Sequence, residues 1–342
     1  MKTHMSARQA AARSAEILSS FLRLTEFAAG HKVRAVIIAG DLFDSEFVKK
    51  RTVDAVLDAI RRTPEVDYLY LPGNHDEAAR AFCDETLPEN FKKFGAQWKT
   101  FCYGETAISG VRLGSGEEDI YRALPQTGKA VQIVTLHGQV GSSCGEDLID
   151  LNLLKNRGIS YLALGHIHSY SRQKLDETGV FCYSGCLEGR GFDECGEKGF
   201  VLLDVENGKI TSEFIPFACR TLHRVEADVS GCMKNAEIAA KMKEAAKNIL
   251  PDDMVRFVLT GSISPEADVS ASYLADFFSG SFFFSAVKDE TTLELDPEAY
   301  RNEVSLKGEF IRQVLAGELS EQDKAAVIRA GLQALAGEEI TL

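Results

Sequence analysis

The chain has 342 residues, of which 45% are hydrophobic and 26% charged, the balance of a globular protein large enough for two domains. Its formal net charge of −13 argues against a protein that coats nucleic acid by bulk electrostatics, although small basic clusters remain for local contacts. Eight cysteines are scattered without any C-x-x-C pair, so neither a disulfide framework nor a zinc knuckle is expected. No stretch approaches 18 consecutive apolar residues, and the N-terminus has no signal pattern. We therefore expect a cytoplasmic protein without membrane contact.

The first half of the chain alternates helical and strand patterns, which indicates an α/β fold. Residues 6–29 repeat apolar side chains at helical spacing behind Ser6, a suitable N-cap. The β-branched run Val36-Ile37-Ile38 has the composition of a strand buried on both faces. Further helices are expected at 46–62, 86–94 and 146–157, and further strands at 68–71, 98–102, 106–113, 131–136 and 160–164.

The pattern changes from residue 170 onward. Short alternating segments between glycine-rich turns indicate antiparallel strands over 170–217. A strand–helix–strand pattern over 221–260 then indicates a small split βαβ unit, and helices are expected at 297–316 and 320–337. We therefore divide the chain into a first domain at 1–218, a smaller α+β domain at 219–294 and a helical segment at 295–342.

Four strands of the first domain end in residues that bind metals or move protons. These ends contain four of the seven histidines in the chain. One such loop is common, but four at one edge of a parallel sheet indicate a site, because ligands bind at the carboxyl ends of the strands. The four ends are Gly40-Asp41, Gly73-Asn74-His75-Asp76, His137-Gly138 and Gly165-His166-Ile167-His168.

The residue types at these ends are those of a site for two divalent metal ions. Imidazole and carboxylate ligands together suit Mn, Fe or Zn better than Ca or Mg alone. A carboxylate such as Asp41 can bridge two ions about 3.5–4 Å apart, the separation found in phosphatases and nucleases. Asn74 offers a neutral oxygen, and the i, i+2 spacing of His166 and His168 places both imidazoles on one side or divides them between two metals. His75, oriented by Asp76, is the candidate general acid.

These motifs resemble those of the calcineurin-like metallophosphoesterases, and the resemblance covers about residues 1–218. It implies a four-layer αββα sandwich with two metal ions, of which manganese is favoured over iron, zinc or magnesium. It also implies that Asp41 bridges the metals, that His168 belongs to the first metal site, and that His75 protonates the leaving oxygen. Asn74, His137 and His166 would complete the second metal site.

Within this family, three further stretches are similar to the SbcD-type bacterial DNA-repair exonucleases: Leu42-Phe43-Asp44, Gly185 to Phe192, and Glu197-Lys198-Gly199. That branch has a capping domain, which would correspond to residues 219–294, and a partner that is an SMC-like ATPase (SbcC-like). The resemblance implies an exonuclease subunit that binds DNA, with the helices at 297–337 as the ATPase docking element and a homodimer as its assembly. The alternatives are a helical hairpin packed on its own core, a small-molecule or phosphoprotein phosphoesterase, and a catalytically degenerate scaffold.

One family motif is missing from this chain. The family's first strand ends in D-x-H, which supplies an Asp and a His to the first metal, and His4 has no Asp two residues before it. Three explanations are open: a start placed too late, a natural loss of one metal site, or a substitution by His4. Without that strand we expect an exposed sheet edge and a weak first metal site.

Overall fold

The computed structural model describes residues 5–43, 48–73, 86–114, 118–141, 148–264, 267, 269–294 and 304–336. The chain divides into two compact units: Met1–Arg190 with Gly196–Cys219, and Gly191–Cys195 with Arg220–Leu342. Each unit has hydrophobic core clusters of its own. Among the helices in the described ranges, none is long and apolar enough to cross a membrane.

The first unit contains three helices and thirteen strands within the described ranges. They are α1 (Ala7–Gly30), β1 (Ala35–Ile38), α2 (Lys50–Arg61), β2 (Asp67–Tyr70), β3 (Phe91–Lys93), β4 (Lys99–Tyr103), β5 (Thr106–Gly110), α3 (Glu118–Arg122), β6 (Val131–His137), β7 (Gln139–Gly141), β8 (Leu148–Asp150), β9 (Tyr161–Gly165), β10 (Ser171–Lys174), β11 (Val180–Tyr183), β12 (Gly199–Glu206) and β13 (Lys209–Pro216).

Two main sheets organise the first unit. One has the order β1-β2-β3 and is entirely parallel. The other has the order β10-β11-β9-β6-β5-β4, with a parallel centre and antiparallel strands at both edges. The parallel strands β6 and β9 are neighbours, so the residues that follow them emerge at the same edge of the sheet. Strands β12 and β13 form a separate antiparallel hairpin.

Successive side chains of each strand point to opposite faces of its sheet, and they pack in three layers of hydrophobic core. Ile133 packs between the two sheets with Leu69, whereas its neighbour Val134 packs in the cluster that also contains Tyr121 of α3. Helices α1 and α2 cover the outer face of the first sheet, and Leu57 of α2 is fully buried there. The arrangement confirms the predicted αββα class.

The start of α1 follows from its sequence. Ser6 accepts a hydrogen bond from the backbone N–H of Gln9, and the Gln9 side chain accepts one from the backbone N–H of Ser6. This capping box fixes the first turn of the helix.

Two predicted helices are wrong. Within the described part of 86–94, residues Phe91–Lys93 form β3, because Phe91 is buried against Tyr70 while its backbone pairs with β2. Within the described part of 146–157, Leu148–Asp150 form β8 beside β7, and only a 3₁₀ turn, Leu151–Leu153, follows. In both cases tertiary strand pairing outweighs local helix propensity.

The prediction of a fully buried strand at Val36-Ile37-Ile38 also needs correction. All four residues of β1 are only half-buried, whereas β2 is almost completely buried. The physical reason is that β1 is an edge strand among the described elements, with β2 on one side only.

The second unit is built around three parallel strands, β14 (Leu222–Asp228), β15 (Met254–Thr260) and β17 (Phe284–Asp289), in the order β14-β15-β17. Two helices after β17 pack on each other, with one fully buried isoleucine each, Ile311 and Ile328. Its elements are β14 (Leu222–Asp228), α4 (Asn235–Ala245), β15 (Met254–Thr260), β16 (Ser262–Ile263), α5 (Ala271–Phe277), β17 (Phe284–Asp289), β18 (Thr292–Leu293), α6 (Leu306–Ala316) and α7 (Glu321–Ala336).

Candidate metal centre

Three side chains that can bind a metal come together at the carboxyl ends of β1, β6 and β9. Asp41 follows β1, His137 ends β6, and His166 follows β9. The ligand atoms that these residues offer all lie within 4.8 Å of one another. His137 Nε2 is 3.4 Å from Asp41 Oδ2, and the two imidazole rings are nearly perpendicular, with centroids 5.4 Å apart. The arrangement is compact enough to share one cation.

The His137 ring is oriented for metal binding by a backbone carbonyl. Its Nδ1 lies 2.8 Å from the carbonyl oxygen of Ala39, so Nδ1–H donates and Nε2 carries the free lone pair. Nε2 is buried and makes no hydrogen bond with any described residue. A buried imidazole nitrogen with no hydrogen bond, beside a carboxylate, fits a metal ligand.

The loops that carry these ligands have unusual backbone conformations. Asp41 has φ 51° and His166 has φ 101°, values that residues with a side chain rarely adopt. Such strain concentrates at functional sites, where the surrounding structure maintains it. In these conformations the ligand atoms of both residues lie within 4.8 Å of those of His137.

Gly165 permits a close approach between the two sheets behind the ligands. A Cβ atom at this position would lie 1.6 Å from the carbonyl oxygen of Ala39, the same oxygen that orients His137. Only glycine fits there, so the glycine before His166 is a requirement of the site's packing.

Tyr183 fixes the turn that follows His137. Its hydroxyl donates to the carbonyl oxygen of Gly138 at 2.8 Å and accepts from the backbone N–H of Val140 at 2.9 Å. Burial raises the pKa of Tyr183, and the hydrogen bond from Val140 opposes this in part, so the phenol stays protonated and can donate. Sequence reasoning missed Tyr183, because its role depends on β11 lying close to this turn.

His168 is not part of the three-residue group. Its Nδ1 lies 3.3 Å from a guanidinium nitrogen of Arg190, and its carbonyl oxygen accepts a hydrogen bond from the buried Lys198. The loop that carries Arg190 is anchored by Glu188, which accepts hydrogen bonds from Arg13 and Ser20 of α1. His168, on the loop after β9, and Arg190, on the loop that α1 holds in place, therefore form a second polar cluster.

The remaining predicted site residues lie outside the part of the chain that the structure describes. They are Asn74, His75, Asp76 and His4.

Asp41, His137 and His166 supply one carboxylate and two imidazoles, a set that suits Mn, Fe or Zn. Such a set leaves coordination positions for water or a phosphate oxygen.

Comparison with a protein-family model identifies the domain that carries this centre. Residues 4–170 match the model of the calcineurin-like phosphoesterases, a segment that includes Asp41, His137, His166 and His168.

Individual relatives match a larger part of the chain at low identity. The DNA double-strand break repair protein Mre11 of Sulfolobus acidocaldarius is 25% identical over 272 residues, 72% of this chain and 70% of that protein. Mre11 of Saccharolobus solfataricus is 24% identical over 325 residues, 87% of this chain and 83% of that protein. The uncharacterized metallophosphoesterase YhaO of Bacillus subtilis is 29% identical over 218 residues, 57% of this chain but only 51% of that protein.

Proposed function

We propose that this chain, which carries a calcineurin-like metallophosphoesterase domain, is a metal-dependent phosphodiester hydrolase that acts as a DNA exonuclease. The single observation that carries the proposal is the convergence of Asp41, His137 and His166 within 4.8 Å, with His137 Nε2 aimed into the group. The family is one of metal-dependent hydrolases, and the donor set is one that such metals prefer.

Each residue has a separate role in the proposed reaction. Asp41, His137 and His166 would hold a divalent metal in the second metal site, with Asn74 as a further ligand. Asp41 and His168 would serve the first metal site, which is the weaker one. When bound, the metal lowers the pKa of a water molecule and stabilises negative charge on the phosphate. His75, oriented by Asp76, donates the proton to the leaving oxygen. Arg190, beside His168, is suited to bind a phosphate oxygen.

DNA is the substrate that the comparisons favour. Two of the relatives described above carry the name DNA double-strand break repair protein. The net charge of −13 requires that contacts to the phosphate backbone be local rather than spread over the surface. If the chain were a small-molecule phosphoesterase, or a scaffold that binds metal without cleaving DNA, the following test would give different results.

The test combines metal content with nuclease activity. We expect the purified chain to bind Mn and to release nucleotides from end-labelled linear duplex DNA. His137→Ala should lower both metal content and the rate of release, the latter by about 100-fold or more. His31→Asn, which changes an exposed histidine outside the centre, is the control.

Three results would contradict the proposal. Cleavage of bis(p-nitrophenyl) phosphate without release from DNA would favour a small-molecule enzyme. Bound Mn without any hydrolysis would favour a scaffold. Unchanged metal content in His137→Ala would reject the three-residue group as the metal centre.

We also propose that α6 and α7 dock an SMC-like ATPase subunit, with the full assembly a dimer. This is supported by several apolar side chains that remain exposed on and beside these helices although Ile311 and Ile328 fill the core of the pair. They are Val304, Leu306, Leu319, Val327 and Leu335. Replacing Leu306 and Val327 with Glu should abolish binding of such an ATPase in sedimentation experiments and leave the melting temperature unchanged. Retained binding would favour a hairpin that serves only its own core.

A further inference from the structure

An aromatic ring with an exposed face lies just after the candidate ligand His168. Tyr170 follows His168 by two residues and is 40% exposed. Its ring stacks on Phe214 of β13, with centroids 4.5 Å apart and 28° between the ring planes. The stack holds the ring in one orientation. Tyr170 therefore offers its second face to another planar group without first having to be ordered.

Two cationic side chains continue along β10 from Tyr170. Side chains two residues apart on a strand point to the same face, so Arg172 and Lys174 lie on one face of β10. Their partners in β11 are Cys182 and Val180, which pack in the cluster between the two main sheets. Both cationic residues are nevertheless exposed, because β10 is the outermost strand of its sheet.

Tyr170 lies on this same face, as its stacking partner shows. Phe214 is opposite Val201 in the hairpin of β12 and β13, and Val201 packs in the same cluster as Cys182. Tyr170 therefore approaches β13 from the side of β10 on which Arg172 lies. We call Tyr170, Arg172 and Lys174 the β10 strip, which is about 13 Å long at the usual rise of a strand.

The β10 strip leads away from the candidate metal centre. β11 is parallel to β9 and antiparallel to β10, so β10 runs opposite to β9. Because the candidate ligands lie at the carboxyl ends of the parallel strands, β10 begins near that edge and ends far from it. Tyr170 is thus the end of the strip nearest to His168 and its neighbour Arg190.

The cations of the β10 strip are available to an anionic ligand. Within the described part of the chain, no residue forms a hydrogen bond or an ion pair with Arg172. Lys174 pairs with Glu177, but the two side chains are 64% and 90% exposed, and such a pair contributes little. A protein with a net charge of −13 needs local cations of this kind to hold a polyanion.

We propose that the β10 strip binds a single strand of DNA that leads away from the metal centre. One base stacks on the exposed face of Tyr170, and Arg172 and Lys174 each contact a phosphate. A single strand is favoured over a duplex, because a base must leave its own stack to reach the ring. This inference rests on the proposed function, which makes DNA the ligand, and it adds the form of that DNA and the residues that hold it.

Binding without metal tests the aromatic ring separately from catalysis. Fluorescence anisotropy in EDTA measures the affinity of the full chain for a labelled oligothymidylate of about 12 nucleotides. Tyr170→Leu keeps an apolar contact with Phe214 but has no aromatic face, so it should weaken binding by about tenfold. Tyr170→Phe keeps that face and should stay within about twofold of the wild type. Tyr273→Leu, at a tyrosine 53% exposed on α5, is the control and should change nothing.

The salt dependence of binding tests the two cations. Each phosphate contact with a single strand contributes about 0.7 to the slope of log affinity against log salt concentration. Arg172→Gln and Lys174→Gln should each reduce the magnitude of this slope by about 0.7. Tyr170→Leu should leave the slope unchanged, because the ring carries no charge. Arg62→Gln, which removes an exposed cation at the end of α2, is the control.

Three results would overturn the inference. They are wild-type affinity in Tyr170→Leu, an unchanged slope in both Gln variants, and a blunt duplex that binds more tightly than the single strand and loses as much affinity in Tyr170→Leu. Melting temperatures and Mn content show whether each variant keeps its fold and its metal centre, and the Gln variants test the strip even where Tyr170→Leu does not fold.

The same measurements distinguish the β10 strip from the proposed function. DNA hydrolysis by the wild type, with unchanged binding in all three variants, would reject the strip alone. Single-strand binding that depends on the strip, in a chain that binds Mn but hydrolyses no DNA, would reject the exonuclease and support the strip.

Discussion

At the scale of single residues, the candidate centre depends on backbone atoms as much as on side chains. The carbonyl oxygen of Ala39 selects the tautomer of His137 and directs Nε2 toward Asp41. A hydrogen bond of this kind fixes a ligand's ring before the metal arrives, which lowers the entropy cost of binding. Because Gly165 has no side chain, that carbonyl group can lie close to the backbone of β9. The ligands and their support therefore form one unit across two sheets.

Gly165→Ala tests this support without removing a ligand. The new methyl group would lie 1.6 Å from the Ala39 carbonyl oxygen, so the two sheets must move apart. We expect a loss of about 1–3 kcal/mol in the free energy of unfolding, measured by urea titration, and weaker Mn binding. Gly95→Ala is the matched control, since a Cβ there meets nothing within 4 Å. Equal stability of the two variants would show that the close approach has no energetic role.

At the scale of elements, a buried ion pair ties α1 to the loop that carries Arg190. Arg13 and Glu188 have side chains only 8% and 2% exposed, with a separation of 3.1 Å. Ser20 and the backbone N–H of Cys219 complete the bonding of Glu188. A buried pair is not strongly stabilising in itself, but the loss of Glu188 leaves the buried guanidinium of Arg13 with Glu16, 2.5 Å away, in place of two carboxylate partners.

Glu188→Ala should therefore lower the free energy of unfolding by about 3 kcal/mol, the low end for a broken buried pair, because Glu16 still compensates Arg13 in part. The double variant Arg13→Met with Glu188→Met should be more stable than Glu188→Ala, because it leaves no buried charge. Asp54→Asn, which breaks the exposed pair with Lys50, is the control and should change stability by no more than about 0.5 kcal/mol. Urea titration of the four proteins provides the comparison; a double variant no better than Glu188→Ala would contradict the explanation.

The turn between β10 and β11 should make stability depend on pH. Burial acts to raise the pKa of Asp176, but hydrogen bonds from the backbone N–H groups of Asn156, Thr178 and Gly179 and from the Thr178 hydroxyl outweigh it, so the pKa is lowered. A lowered pKa adds stability that is present above the unfolded-state value and is lost as the pH falls through the folded-state value.

Asp176→Asn should therefore destabilise the protein at neutral pH, and its difference from the wild type should shrink as the pH falls below the ordinary value of 3.8. Urea titrations between neutral and acidic pH measure this difference. Glu177→Gln, at a side chain 90% exposed, should show no such trend. A difference that is independent of pH would mean that the Asp176 carboxylate is not responsible.

At the scale of the whole molecule, each of the two units has an independent core. Clusters around Leu162, Leu57 and Ile133 stabilise the first unit, and a cluster around Phe257 stabilises the second. The candidate metal centre belongs entirely to the first unit. A ligand stabilises only the part of a chain whose folded form binds it.

Mn should therefore raise the temperature of one calorimetric unfolding transition and leave a second one unchanged. At 100 times the dissociation constant the gain is about 2.7 kcal/mol for the unit that binds. EDTA should reverse the shift, and His137→Ala should abolish it. A single transition that moves as a whole would show that the two units unfold together.

The sequence by itself predicted much of this protein. Buried β-branched runs and glycine turns predicted the central parallel strands, and the residues at their ends predicted the candidate ligands Asp41, His137 and His166. The strand predictions succeed for β2 and β6, whose apolar composition reflects burial on both faces, whereas β1 is only half-buried, and the three ligands stay predictions. The calcineurin-like class followed from the same motifs.

The tertiary structure alone decided the rest. Phe91–Lys93 and Leu148–Asp150 became strands because neighbouring strands offered hydrogen-bonding partners, which a local pattern cannot reveal. The Ala39 carbonyl, which orients His137, belongs to the backbone and leaves no sequence signal. Such features depend on long-range contacts, and only the folded chain brings those residues together.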